Sequence, residues 1–307
     1  MQYFRIKNKH NQIRIFSNEK IFSPKFLNEK FASSIIIDHS SKNSLSGGLR
    51  LKKIYKSNYE NLPLISVIVP NFNGKNLKKT LDSILYQAYP NIEIILIDGG
   101  SNIENISFLE NEYNDQIDFW ISQKDEGIYD AWNKGIKLAR GKYVGIINSN
   151  DYYYKDAFKY LIEYIKKYPD HDFILGAVKK HKVYAGFRPQ EIHLRFNIYP
   201  STVIGFFIKL ESQKRVGLYS LKYKCSADYD MFYRIIKKHK MKGIPTKSNE
   251  VFGKFELGGF SSQLNFVDHL KEEIQIRLDN GQGLPILLYI IIGKSIMKVL
   301  RWLKIFN

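Results

Sequence analysis

The sequence predicts an α/β fold with a mainly parallel central sheet and helices on both faces. Two observations lead to it. Short β-branched apolar runs alternate with helical patterns four times between residues 64 and 148, and each run is bounded by a turn. Polar or acidic side chains also follow every run, at the strand ends where sheets of this class bind ligands.

Leu64 to Pro70 is an apolar, β-branched run of the kind buried on both faces of a sheet, ended by Pro70 and Gly74. Leu77, Leu81, Ile84 and Leu85 recur at helical spacing, so Asn76 to Ala88 reads as an amphipathic helix. Ile92 to Asp98 is the second strand, followed by a polar turn and a helix around Glu104–Tyr113. Ile117 to Ser122 is the third strand, Ile128 to Ala139 a helix closed by Gly141, and Tyr143 to Asn148 the fourth strand. The four strand ends carry Pro70–Asn73, Asp98–Ser101, Lys124–Asp130 and Asn148–Asp151. One polar strand end is unremarkable, but four together predict a binding crevice. Further on, Asp228 to Lys240 reads as a helix with Met231, Phe232, Ile235 and Ile236 on one face.

Composition narrows the function classes. With 307 residues, 44% hydrophobic and 25% charged, the chain can bury a core and is neither fibrous nor disordered. The single Cys225 excludes a disulfide framework and a four-cysteine metal site and fits a reducing compartment. Beside an apolar helix it reads as inert. The seven His are scattered and read as surface or core residues. There are 47 Lys+Arg against 30 Asp+Glu, a net +17, which attracts nucleic acid, anionic lipid or phosphorylated substrates without choosing among them. Biased codon usage is an equally good source of much of that excess.

Three regions are expected: a basic N-terminal extension (1–62), a catalytic domain (63–265) and a C-terminal helical tail (266–307). The extension holds 12 Lys/Arg against four Asp/Glu before residue 61, and its runs Ile13–Phe16 and Ile35–Ile37 suggest a small hairpin. The tail places nine apolar residues, Leu284 to Ile292, before Lys294, Lys298, Arg301 and Lys304. It is too short to span a bilayer and reads as an interfacial amphipathic helix. A helix packed on the core or a dimer interface are the alternatives. No signal-peptide core opens the chain, so the expected location is cytoplasmic.

The dinucleotide G-x-G-x-x-G, the P-loop and the H-E-x-x-H zinc motif are all missing. What remains is an acidic constellation on an α/β sheet in a basic protein. An enzyme acting on a diphosphate needs carboxylates to hold a divalent cation and a carboxylate base for the attacking hydroxyl. Asp151 and Asp228 suit these tasks, although on spacing alone an N-cap role fits Asp228 better.

The stretches Ile65–Asn73, Leu81–Gln87, Ile94–Ser101, Asp125–Ile136, Ala139–Asp151, Ala227–Arg234 and Gly258–Ser261 together resemble the family-2 glycosyltransferases. Asp125–Ile136 and Ala139–Asp151 resemble in particular the branch that builds colanic acid and other surface polysaccharides, and Ala227–Arg234 and Gly258–Ser261 fit the same branch. The resemblance covers about two thirds of the chain. It implies a glycosyltransferase-A fold and an inverting transfer from a nucleoside-diphosphate sugar. By resemblance, Pro70, Asn71 and Asn73 line the nucleotide pocket, and Asp98 meets the base or ribose. Asp125, Asp130, Asn133, Lys134, Asn148 and Asn150 lie near the donor. Asp151 serves the metal and diphosphate, Asp228 is the base, and Gly258 and Gly259 shape the acceptor side.

Two departures qualify this. The strand-four motif keeps only Asp151, with Asn148 and Asn150 where the family carries Asp, so Mn²⁺ or Mg²⁺ is expected to bind weakly. Ala227 stands where a Glu often precedes the base. The Q-x-x-R-W motif of processive synthases is missing, which implies one sugar per acceptor visit. The expected partners are a nucleoside-diphosphate sugar, a lipid-linked glycan acceptor (O-antigen, lipopolysaccharide, capsule or exopolysaccharide) and the anionic inner face of the cell membrane, with no nucleic acid. Two other classes stay in view: an inactive relative that scaffolds glycan assembly, motivated by Asn148 and Asn150, and a basic nucleic-acid-binding protein, which lacks an arginine-rich array.

Overall fold

The computed structural model describes residues 3–17, 45–195, 198–200, 202–258 and 265–303. It opens with an antiparallel hairpin, β1 (Tyr3–Lys7) and β2 (Ile13–Ser17), then β3 (Leu45–Gly47). The alternating core follows: β4 (Ile65–Asn71), α1 (Leu77–Leu85), β5 (Ile92–Asp98), α2 (Ile103–Tyr113), β6 (Phe119–Ser122), α3 (Ile128–Leu138) and β7 (Tyr143–Ile146). Then come β8 (Tyr152–Tyr153), α4 (Ala157–Lys167), β9 (Phe173–Leu175), β10 (Ala177–Lys179), β11 (Val183–Tyr184), β12 (Phe206–Lys209) and α5 (Leu210–Val216). The chain continues through α6 (Ala227–Tyr233), β13 (Gly243–Pro245), β14 (Val251–Lys254), α7 (Phe266–Asp279) and α8 (Leu284–Trp302).

The main sheet has eight strands in the order β13-β9-β12-β7-β4-β5-β6-β3. Its centre, β7-β4-β5-β6, is the parallel set predicted from the sequence. β12 runs antiparallel between β7 and β9, and β3 antiparallel to β6 at the edge. A second, four-stranded sheet, β11-β10-β14-β8, adjoins it.

Every residue of β4 and β5 is buried, because helices cover both faces. Val67 and Val69 face Leu77, Leu81 and Ile84 of α1 and Leu161 of α4. Ile68 and Ile95 face Trp132 and Ile136 of α3, with Met231 and Phe232 of α6 beyond. Successive strand residues thus feed opposite cores, as the two-residue period requires.

Of residues 45–62, which the sequence reading places in the N-terminal extension, Leu45–Gly47 forms the edge strand of the main sheet and the stretch after it packs against that sheet. Inside it, Arg50 pairs with Glu93, and Lys56 donates to Asp118 Oδ2 at 2.7 Å with both side chains buried. The hairpin docks through Arg14, whose guanidinium donates to the carbonyls of Ile84, Leu85, Gln87 and Tyr89. These carbonyls lie at and just beyond the end of α1, where Ile84 also accepts the Gln87 N–H and Leu85 the Asn8 amide, so a buried arginine helps to cap the helix C-terminus. The Ile35–Ile37 run lies outside the described residues.

The tail divides into two parts. α7 is built into the core by Arg277, fully buried, which pairs with Glu273 and donates to the carbonyls of Ile192 and His193. α8 buries Leu287 and Ile290 but exposes Leu284, Leu288, Tyr289, Ile292, Ile296 and Val299. Among the described residues no helix is long and apolar enough to cross a membrane.

Replacing Lys56 by Met strands the Asp118 carboxylate in the sheet and should cost about 3–5 kcal/mol in denaturant unfolding. The double variant Lys56→Met/Asp118→Asn should recover more than half of that loss. The amide that replaces the carboxylate keeps an acceptor for the Ile94 N–H without the charge.

Candidate functional site

The carboxyl ends of β4, β5 and β6 meet at one side chain. Asp98, the last residue of β5, is fully buried. Its Oδ1 accepts from Asn71 Nδ2 (2.7 Å) and Ser101 Oγ (2.5 Å). Its Oδ2 accepts from Ser122 Oγ (2.6 Å) and the N–H groups of Ser101 (2.8 Å) and Gly100 (3.1 Å). The carboxylate is therefore enclosed by protein donors and ties three strand ends together.

Asn71, also buried, accepts the Gly74 N–H on its own Oδ1. Pro70 is buried in β4, opposite Ile97. Asn73 is exposed and adopts φ 49°, a left-handed conformation Asn tolerates. Its N–H donates to Ser101 Oγ and its Oδ1 accepts from Asn102 N–H. Of this group, Asn73 is the side chain presented to solvent.

The loop before α3 supplies the opposite wall. Asp125 approaches Gly99 so closely that a Cβ there would lie 2.7 Å from its Oδ2. Burial raises the Asp125 pKa, while the Gly127 N–H and the Lys134 charge oppose the rise. Asp130 and Lys134 are buried one turn apart with Nζ 3.5 Å from Oδ2, and among the described residues Asp130 Oδ1 has no hydrogen-bond partner. Asn133 does not face the crevice for ligand contact. Its amide exchanges two hydrogen bonds of 2.8 Å with the Tyr219 backbone.

The turn after β7 closes the floor. A Cβ on Gly74 would lie 2.7 Å from Ser149 Oγ, so this turn abuts the end of β4. Asn150 is exposed. Asp151 is buried: Oδ1 accepts the Glu256 N–H at 2.9 Å and Oδ2 has no hydrogen-bond partner among the described residues. Burial pushes its carboxyl up to about 7, against the Glu256 hydrogen bond. Asn148 Oδ1 is likewise buried without a hydrogen-bond partner among the described residues.

These two orphaned oxygens on one turn fit a divalent cation as a sparse site of one carboxylate and one amide. Mg²⁺ is commonly held by one or two carboxylates with substrate phosphates and water completing its shell. Among the described residues no group of three or more His, Cys, Asp or Glu side chains is arranged to hold a metal.

Asp228 sits in the first turn of α6, after Ser226 at the N-cap position. Tyr199 OH donates to its Oδ2 at 3.1 Å. Burial raises its pKa, while Tyr199, the first-turn backbone N–H groups and the Lys180 charge oppose the rise. Tyr129 and Tyr219 stack nearby at 6.0 Å, and the charge of Asp228 helps raise the pKa of each. A cleft of about 420 Å³ lined by Lys180, Tyr184, Arg188, Tyr199 and Leu257 opens beside it. Gly258 follows Leu257 with φ 102°, and no described residue would come within 4 Å of a Cβ there, whereas Gly259 lies outside the described residues. A hollow of about 490 Å³ on the outer side of α1, lined by Lys75, Lys78 and Tyr86, contains none of the candidate residues.

A family model for glycosyl transferase family 2 matches residues 66–225, a little over half of the chain. The chain belongs to this family. An uncharacterized glycosyltransferase of Rickettsia prowazekii is 29% identical over 191 residues, 57% of this chain and 59% of that protein. The chain thus spans less than two thirds of that curated relative's length. Two solved structures share its fold, the glycosyltransferase-A fold. S. aureus TarS 1–349 in complex with UDP-GlcNAc has TM-score 0.55 and 17% identity, covering 74% of this chain and 71% of that one. Mannosyltransferase PcManGT from Pyrobaculum calidifontis, in complex with GDP-Man and Mn²⁺, has TM-score 0.53 and 17% identity, covering 76% and 69%.

Several residues of this family-2 site carry no sequence motif. Tyr199 and Lys180 come from the stretch between Tyr152 and Tyr223, where no pattern singles them out. Glu272 of α7 accepts the Lys224 and Cys225 N–H groups and so fixes the chain just before Asp228, from a helix whose sequence reads only as amphipathic.

Substituting Asp98 by Asn turns an amide nitrogen toward Asn71 Nδ2 or toward the Gly100 and Ser101 N–H groups. The expected cost is about 2–3 kcal/mol of stability, read as a lowered midpoint in urea.

Proposed function

We propose that the protein is an inverting, non-processive glycosyltransferase that moves a sugar from a nucleoside-diphosphate donor to a glycan acceptor. The observation that carries this reading is Asp228: a carboxylate with a raised pKa, held by a tyrosine hydroxyl, at the edge of a cleft beside the strand-end crevice. Family membership and the fold shared with proteins solved with UDP-GlcNAc and GDP-Man support a nucleotide-sugar donor.

The nucleotide lies across the ends of β4 and β5, against Asn73 and the Asp125 loop. Asp98 and Asn71 act by holding these ends in register, and Asn133 by fixing Tyr219. Asp151 with Asn148 would hold a divalent cation, which when bound neutralises charge on the donor diphosphate. Asp228 takes the proton of the acceptor hydroxyl as the oxygen attacks the anomeric carbon from the side opposite the diphosphate. Tyr199 orients the carboxylate, and the aromatic wall of Tyr129, Tyr219 and Trp132 keeps water from the reacting face. Gly258 leaves room for the acceptor.

The acceptor belongs to a lipid-linked surface glycan, met at the cytoplasmic face of the membrane. The support is α8, whose exposed apolar side adjoins the exposed Lys298 and suits a bilayer surface bearing anionic head groups, while Lys294 is engaged by Glu273.

Asp228→Asn should lower transfer by about 10³-fold and leave donor affinity within about twofold, measured as nucleoside diphosphate release and by calorimetry. The base works deprotonated and its pKa is raised. The acid limb of kcat/KM should therefore fall away at a higher pH than an ordinary aspartate would give. The exposed triple change Leu288→Glu/Ile292→Glu/Ile296→Glu should abolish flotation with phosphatidylglycerol vesicles and leave the thermal unfolding midpoint unchanged.

A further inference from the structure

We propose that the acceptor sugar carries a fixed negative charge, a carboxylate or a phosphate ester, and that the cleft between Tyr199 and the β10–β11 turn receives it. The proposal rests on the transferase reading above and names the acceptor class that the reading leaves open.

The β10–β11 hairpin gathers cations in one place. Its turn, Lys179 to Lys182, is three lysines and a histidine in a row. The Lys180 N–H bonds the Lys182 carbonyl at 2.9 Å, and the Phe255 N–H bonds the Lys179 carbonyl at 2.9 Å. The turn is therefore held within itself and to the chain that follows β14. The ammonium groups of Lys180 and Lys182 lie 5.4 Å and 5.6 Å from the centre of the Tyr184 ring. The hydroxyl of the same tyrosine lies 2.8 Å from His181 Nε2. Three side chains able to carry positive charge thus meet around one ring. Like charges placed together repel one another and concentrate a positive potential that an anion relieves.

The cluster borders the proposed reaction site. Lys180, His181, Tyr184 and Arg188 line the cleft of about 420 Å³ together with Tyr199, whose hydroxyl donates to Asp228 Oδ2 at 3.1 Å. None of the described residues lining this cleft is an Asp or Glu. Arg188 lies 3.4 Å from Glu191, but that carboxylate also lies 3.9 Å from Arg195, so one negative charge is divided between two guanidinium groups. Gly186, also in the lining, adds no side chain, and no described residue would come within 4 Å of a Cβ there. The volume is within the range of small-ligand sites.

The sign of this wall selects the acceptor. The attacking oxygen has to approach Asp228 and the donor diphosphate, which are both negative. A neutral sugar meets no repulsion there and has no need of a cationic wall. A sugar with a carboxylate or phosphate is repelled by both groups. Ammonium and guanidinium groups on the cleft wall offset that repulsion, and their charge-assisted hydrogen bonds fix the sugar in one register.

The test is a ligand-observed NMR titration of the full chain, saturated with whichever of UDP, GDP, ADP, CDP and dTDP calorimetry shows to bind. The probes are methyl β-glucoside, its 6-phosphate and methyl β-glucuronide, which differ only at one carbon. Wild type should bind at least one charged probe about tenfold or more tightly than the neutral one. Preference for the phosphate names a phosphate ester, and preference for the glucuronide names a uronic acid. Lys180→Gln/Lys182→Gln should bring the ratio to within about twofold of unity, and Lys180→Arg/Lys182→Arg should keep it. The charged-to-neutral ratio is independent of any unfolded fraction in a variant. Flotation of the Gln variant with phosphatidylglycerol vesicles should match wild type. The proposal is overturned if neither charged probe is preferred by wild type, or if the preference survives in the Gln variant. Lost flotation of the Gln variant assigns the cluster to lipid head groups and overturns it as well. Each of these results leaves the transferase reading standing, whereas wild type that binds none of the five nucleotides overturns both.

Discussion

The site depends on one buried carboxylate. Asp98 has no exposure to solvent, yet it receives five hydrogen bonds from residues at the ends of β4, β5 and β6 and the turn that follows β5. Parallel strands fix the spacing of their own backbones but not the paths of the loops that leave them. A shared acceptor fixes those paths, since every donor that turns away leaves a costly vacancy in a low-dielectric interior. The left-handed turn at Asn73 and the close approach of Gly99 to Asp125 are both arranged around this point.

The alternating centre of the fold was legible because burial on both faces enforces a simple pattern. β4 and β5 must be continuously apolar, and α1 and α3 must show one apolar face. The strands β9, β12 and β13 were not legible, because each has only three or four residues and their register is set by neighbours far away in sequence. The same applies to the edge strand β3. Arg14, Arg50 and Lys56 read as part of a basic extension, whereas all three are buried, Arg14 against helix-end carbonyls and the other two in ion pairs. Net charge counts such residues as surface and misjudges them when each meets a partner inside.

The candidate site shows the same division. Strand-end residues such as Asp98, Asp125 and Asp151 stand out because a motif surrounds them and the topology brings strand ends together. Their individual tasks did not follow from the motif. Asp98 and Asn133 face protein groups, while Asn73 faces solvent. Tyr199 and Lys180 could be found only in three dimensions, since a lone tyrosine or lysine in a basic, tyrosine-rich chain carries no signal.

The attachment of α7 has a geometric consequence. Glu272 of this helix grips the backbone just ahead of Asp228, and Glu273 beside it pairs with Lys294 of α8. On the function proposed above, the helix that would rest on a bilayer and the loop that carries the proposed base, Asp228, are therefore joined through two consecutive residues. If α8 lies on a surface, the height and tilt of the cleft above that surface are set by a short rigid coupling. For the lipid-linked acceptor proposed above, the molecule would then act as a ruler, admitting acceptors whose reactive hydroxyl stands at one distance from the lipid and passing over those that end nearer or farther.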